Sequence, residues 1–153
     1  MSIASPELSR CFGCGAHNPV GLHLLSHSRR VGDDIIIDAN LGPFYAGYPG
    51  VAHAGVVATM IDEAVQLHAY GVLGVVAPTA QLNISYKAPV PTEVPIRVRG
   101  RGSRDGRKVL STAEVLDADG GLLASAEAVL IVREEVAADD LENARKNTPT
   151  ATE

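Results

Sequence analysis

The chain has 153 residues, a formal net charge of −5, 46% hydrophobic and 20% charged residues. These are ordinary globular values that speak against a disordered or membrane-embedded chain, and the acidic balance disfavours nonspecific nucleic-acid binding while allowing a local basic pocket. No apolar run reaches the ~20 residues of a membrane span, the N-terminal MSIASPELSR has no signal-like apolar stretch, and two cysteines are too few for a disulfide framework, so a cytoplasmic protein is expected.

Residues 1–19 form a turn-rich segment that opens the motif CFGCGAHNPVGL. Cys11, Cys14, His17 and His23 are zinc-ligand types, and cysteines separated by two residues are the usual first half of such a site. No second half of standard spacing follows. The expectation is therefore two small buried thiols in a tight turn, with no metal and no cofactor. Alternation in residues 21–29 suggests a strand that puts His23 and His27 on one face, and residues 34–41 a second strand. The loop LGPFYAGYPG follows, and its Phe44, Tyr45 and Tyr48 are candidate walls of a pocket beside the next element.

That element is a helix from His53 to Tyr70, long, alanine-rich and free of proline, with Gly71 as its expected C-cap. Val56, Val57, Met60, Ile61, Val65 and Leu67 leave no wide polar face, so other structure should enclose it on most sides. Its only formal charges, Asp62 and Glu63, point about 100° apart, and at least one must be held somewhere costly. Glu63 is expected to reach solvent or a basic residue, and His68 to sit partly protonated near the helix C-terminus. At the other end, His53, Ala54 and Gly55 begin the helix. Unpaired first-turn amides beside small residues suit an anion or an oxyanion. Ala54 and Asp62 are separated by about 12 Å of helical rise, so one chain cannot bring both to the same reacting atom. Two antiparallel copies can, which argues for a dimeric site.

Four strands are expected after the helix, at about 79–86, 94–102, 108–116 and 122–133, with turn signals between them. Two strands, one enclosed helix and four strands imply an α+β domain over residues 20–133, with about six antiparallel strands curved around one long central helix. The polar tail 134–153 is expected to form a short surface helix and then fray. Arg101, Arg104, Arg107 and Lys108 make the densest positive cluster.

GYPGVAHAG, then MIDEA, then TAQLNISYKAPVP, in that order, resemble the hotdog-fold acyl-CoA thioesterases, specifically their phenylacetate-type (PaaI-like) branch. The resemblance covers about residues 11–133. It implies the hotdog fold, a homodimer or homotetramer, and hydrolysis of a small or aromatic acyl-CoA. Asp62 would be general base or nucleophile, the Ala54 and Gly55 amides the oxyanion hole, and Thr79 the hydroxyl that positions water. His53 would orient the turn or bond a nearby carbonyl, and Tyr48 would wall the acyl pocket. Arg107 and Lys108 would anchor the CoA phosphates. Two departures stand out: Ala54 replaces the usual first glycine after the histidine, and Gly47 stands where some relatives carry an amide side chain. Hotdog dehydratases space their acid and histidine differently, which disfavours that reading. A noncatalytic acyl-CoA-binding module is the alternative from another class.

Overall fold

The computed structural model describes residues 10–137 and 140–146. Its strands are β1 (Ser28–Val31), β2 (Asp34–Asn40), β3 (Ala46–Tyr48), β4 (Val51–Ala52), β5 (Val75–Val76), β6 (Thr79–Tyr86), β7 (Pro95–Asp105), β8 (Lys108–Leu116), β9 (Leu122–Ile131) and β10 (Glu134–Glu135). The helices are α1 (Ala54–Gly71) and α2 (Asp140–Lys146). Six strands form one sheet in the order β1-β2-β7-β8-β9-β6, every neighbour antiparallel. This is the expected α+β hotdog architecture, with α1 packed mainly on β7, β2 and β8.

Period-two patterning puts the sheet's apolar face on the helix. In β7, Ile96, Val98 and Gly100 are buried while Arg97 and Arg101 are exposed. Val98 meets Ile35 and Ile37 of β2, Val109 of β8, Leu130 of β9, and Met60, Ile61, Ala64 and Val65 of α1 in one continuous core. On the outer face, Asp38 pairs with Arg29 and Arg97, Glu114 with Arg99, and Asp34 with Arg101. Such exposed pairs contribute about 1 kcal/mol at most, but they neutralise a positive row along β7.

Residues 21–29 depart from the expected single strand. Leu24–His27 is a 3-10 turn, and the strand begins only at Ser28. The cause is the cysteine turn: Leu22 N–H bonds Phe12 O at 2.8 Å and Leu24 N–H bonds Gly13 O at 2.9 Å. His23 takes a left-handed conformation, φ 53°, where its ring meets the Asn18 carbonyl. His23 and His27 therefore share no strand face. At the helix end, Gly71 is the last helical residue and Val72 the cap, and the left-handed glycine is Gly74.

His68 also differs from expectation, being buried rather than partly protonated at a surface. Its Nε2 lies 3.0 Å from the Asp33 carbonyl and Nδ1 has no partner. Burial holds its pKa below the ordinary value, outweighing the Asp33 carbonyl and the Asp34 charge, which act the other way. As pH falls through the ordinary histidine range, the unfolded chain gains a proton that the native imidazole refuses, so this residue lowers stability on acidification. Comparing denaturant unfolding of wild type and His68→Gln between pH 7 and pH 5 should show the loss on acidification smaller in the variant, by on the order of 1 kcal/mol.

β10 pairs with β5, and α2 supplies the expected short helix, burying Ala144. The fraying expected beyond it falls outside the described residues. Among the described residues no helix is long and apolar enough to cross a membrane.

Candidate active site

Asp62 sits mid-helix, half-buried, on the side of α1 that meets β6. Thr79 opens β6, and its Oγ1 donates to Asp62 Oδ1 at 2.6 Å. Gln66, one turn further along α1, brings Nε2 to 3.4 Å from both Asp62 Oδ2 and Thr79 Oγ1. Sequence reasoning missed Gln66, although its position four residues after the aspartate is the spacing at which helical side chains meet.

β6 runs back along the helix. Its far end carries Tyr86, whose hydroxyl donates to the Ala54 carbonyl at 2.7 Å. Tyr86 was not singled out either, and nothing local marks a strand-end tyrosine that reaches a helix start. Beside it lies a shallow cavity of about 380 Å³ lined by Ala52, Ala54, Val57, Tyr86, Lys87 and Pro89. The larger cleft, about 850 Å³ between Leu24, His27, Tyr45, Arg97 and Asp119, includes neither Asp62 nor Ala54.

His53 caps the helix. Its Nδ1 accepts the Gly55 N–H at 2.9 Å, and its carbonyl accepts from Val56 and Val57 at 2.9 and 3.1 Å. Of the two roles expected, orienting the turn or bonding a carbonyl, the ring's bond from the Gly55 amide fits the first. Gly55, expected to share the donor role, has given its amide to that ring. The Ala54 N–H makes no hydrogen bond among the described residues and remains the free donor, an orphan of the kind helix starts leave.

Glu63 corrects the expectation of a solvent-facing or ion-paired acid. It is 9% exposed on the face of α1 that meets the cysteine turn, its Oε1 3.4 Å from Cys11 Sγ. Burial, reinforced by the Cys11 thiol, pushes its carboxyl up to about 8. Phe44 and Tyr48 were expected to wall a pocket at the helix start, yet they are 98% and 77% exposed and line no part of the helix-start cavity. The β3–β4 ribbon carries Tyr48 outward, and Tyr45 instead turns in to bond the Gly21 carbonyl at 3.2 Å.

Of the basic cluster, Arg101 pairs with Asp34 at 2.6 Å and Arg104 with Glu135 at 2.8 Å. Arg107 and Lys108 make no ion pair among the described residues. They stand at the β7–β8 turn, where Gly106 supplies the positive φ of 59°. Register puts them at the same end of the sheet as the aspartate, because Leu130 of β9 aligns with both Thr79 and Val109. Two strand spacings, about 10 Å, separate those columns.

A family model described as the thioesterase superfamily matches residues 49–124. An acyl-coenzyme A thioesterase, THEM4, from Xenopus laevis is 31% identical over 93 residues, covering 60% of this chain and 41% of its own. The chain thus spans about two fifths of the length of the curated relatives it matches. A crystal structure of a thioesterase superfamily protein is 31% identical with a TM-score of 0.61, over 65% of this chain and 49% of its own. A phenylacetic acid degradation-related protein from Ralstonia eutropha is 25% identical with a TM-score of 0.61, over 69% and 83% of the two chains.

Proposed function

We propose that this chain, a thioesterase-superfamily member through residues 49–124, hydrolyses an acyl-CoA thioester at a site shared by two copies of itself. The observation that carries the reading is the hydroxyl-anchored carboxylate, Thr79 Oγ1 on Asp62 Oδ1 at 2.6 Å, at one end of a helix face whose other end offers a free amide. Similarity to acyl-coenzyme A thioesterases supports the substrate class.

The shared site follows from the lie of β6. Among the described residues this edge strand has β9 on one side and no neighbour on the other, and it joins the middle of α1 at Asp62, through Thr79, to the Ala54 end, through Tyr86. A second copy laid antiparallel along that edge brings its Ala54 amide toward this chain's Asp62. Exposed Tyr48 and Phe44 would then find their cover in the partner and wall the acyl pocket, giving a homodimer or a dimer-built tetramer. Arg107 and Lys108, unpaired near the Thr79 end, would meet the CoA phosphates.

In this arrangement Asp62 takes a proton from water as the water oxygen bonds to the thioester carbon. The partner's helix start holds the resulting oxyanion through the Ala54 N–H. Collapse breaks the C–S bond, and the proton on Asp62 passes to the departing CoA thiolate, leaving the free acid. Thr79 and Gln66 fix the carboxylate's orientation. Single turnover in heavy-oxygen water tests for a nucleophile, because label found on Asp62 and not in the product of the first turnover marks an anhydride cleaved at the Asp62 carboxyl carbon, a step that general-base hydrolysis lacks.

Release of free thiol from a panel of short, aromatic and long acyl-CoAs is the direct test, and turnover should be highest for small or aromatic groups. No hydrolysis of any member would defeat the reading. A sharper check uses Ala54→Pro. Proline fits the first helical position, and His53 already holds the extended ψ of 135° that a following proline requires. The variant therefore deletes one N–H with little distortion and should cost about 10²- to 10³-fold in kcat. Co-expressed with Asp62→Asn, it should recover about a quarter of wild-type activity, since each hybrid dimer keeps one intact site. A site contained within one chain recovers nothing.

A further inference from the structure

The chain's only two cysteines take no part in the chemistry above. Gly15 N–H bonds Cys11 O at 3.0 Å and closes the turn, and the amides of Gly13 and Cys14 point at the Cys11 sulfur. Glu63 meets this turn from α1. One ligand atom from each of Cys11, Cys14 and Glu63 lies within 4.8 Å of the other two, with Cys14 and Glu63 7% and 9% exposed. The turn is shaped around the carboxylate, since a Cβ on Gly13 would lie 2.2 Å from Glu63 Oε1. Among the described residues the charged or titratable groups that act most on Glu63 are the two thiols and Asp62. An acid buried against thiols is costly to keep.

We propose that Cys11, Cys14 and Glu63 form a zinc site that pins the N-terminal turn to the back of the central helix. Two sulfurs and one carboxylate suit Zn²⁺, whereas Mg²⁺ and Ca²⁺ take oxygen donors. Bonds of about 2.0–2.3 Å in a tetrahedron space ligand atoms roughly 3.3–3.8 Å apart, a spacing the cluster reaches with small side-chain movements. Amides directed at a sulfur are the support a metal-bound thiolate needs. Three protein ligands leave the fourth position to water. His17, in the motif, is exposed and the ring of His23, just after it, is held by the Asn18 carbonyl, so Glu63 supplies the third ligand from a position 52 residues beyond Cys11. Binding displaces the thiol protons, and the carboxyl proton where present, into solvent.

The full-length chain, reduced and stripped with a chelator, is titrated with Zn²⁺ and with Co²⁺ as a spectroscopic stand-in. One ion per chain should bind, the Co²⁺ form should show thiolate-to-metal charge-transfer absorption, and Zn²⁺ should raise the unfolding midpoint where Mg²⁺ does not. Cys14→Ser and Glu63→Gln should each weaken Zn²⁺ binding by on the order of tenfold or more. Absence of both the absorption and the midpoint shift in the wild-type chain overturns the proposal without recourse to any variant. Binding unchanged in a folded Glu63→Gln overturns it as well, as does isolation of the chain with its two cysteines joined to each other.

Discussion

Asp62→Asn is expected to lower kcat by about 10³-fold or more while leaving the fold and acyl-CoA binding nearly intact. Asparagine matches aspartate in shape, and its Oδ1 can still accept the Thr79 hydroxyl that now sits 2.6 Å away. Gln66 can turn its amide to offer an acceptor to the new NH₂ group, so the half-buried position pays little for the change. What disappears is the ability to take a proton from water. The unfolding midpoint should therefore stay close to wild type while thiol release collapses. Thr79→Ala should fall between the two, because it removes the group that orients the carboxylate but leaves the carboxylate in place. Unchanged CoA-thioester affinity in an Asp62→Asn chain, beside a wild type that never turns over, would instead favour the noncatalytic binding module.

The elements with long, regular patterns were legible before any coordinates. The helix is expected at 53–70 and found at Ala54–Gly71, and the third and fifth expected strands match β6 and β8 at both ends. Their signals are local: an unbroken alanine-rich run, alternation, and glycine at hairpin turns. Gln66 was within reach of the same logic. Most of the failures are places where distant chain decides, and one turns on a local rotamer. Alternation of Leu22 and Leu24 looks like a strand, but both residues plug the core while their amides are bound by the cysteine turn. Glu63 is a helix surface residue by pattern, and residues 11–14 dock against its face where it is buried. His53 as an acceptor for Gly55 depends on a ring rotamer, which no spacing encodes.

Gly100→Val should abolish the cooperative native state or leave it barely stable, although valine is the better strand former. At Gly100, an inward-facing position of β7, α1 comes down onto the strand backbone. A Cβ there would lie 2.4 Å from the Ala64 carbonyl oxygen and 2.7 Å from its carbon, both backbone atoms of a helix buried against the sheet. Backbone in mid-helix cannot step aside as a flexible side chain can. To admit the new atoms, α1 must lift from β7, and the contacts of Ala64 and its neighbours Ile61 and Val65 with the sheet loosen together. Overpacking a tight core commonly costs 1–3 kcal/mol for a side chain that can adjust. A clash with helix backbone should exceed that, at about 4 kcal/mol or more, which is most of the margin of a domain at the lower end of the ordinary range. Arg101→Val, one residue along, puts the same side chain on the outer face and removes only the exposed pair with Asp34, for about 1 kcal/mol at most. Thermal unfolding of the two variants side by side decides the matter. Equal midpoints would mean that the helix does not bear on the strand at Gly100, and the displacement expected of Gly100→Val should also take Asp62 out of register with Thr79, so activity and stability should be lost together.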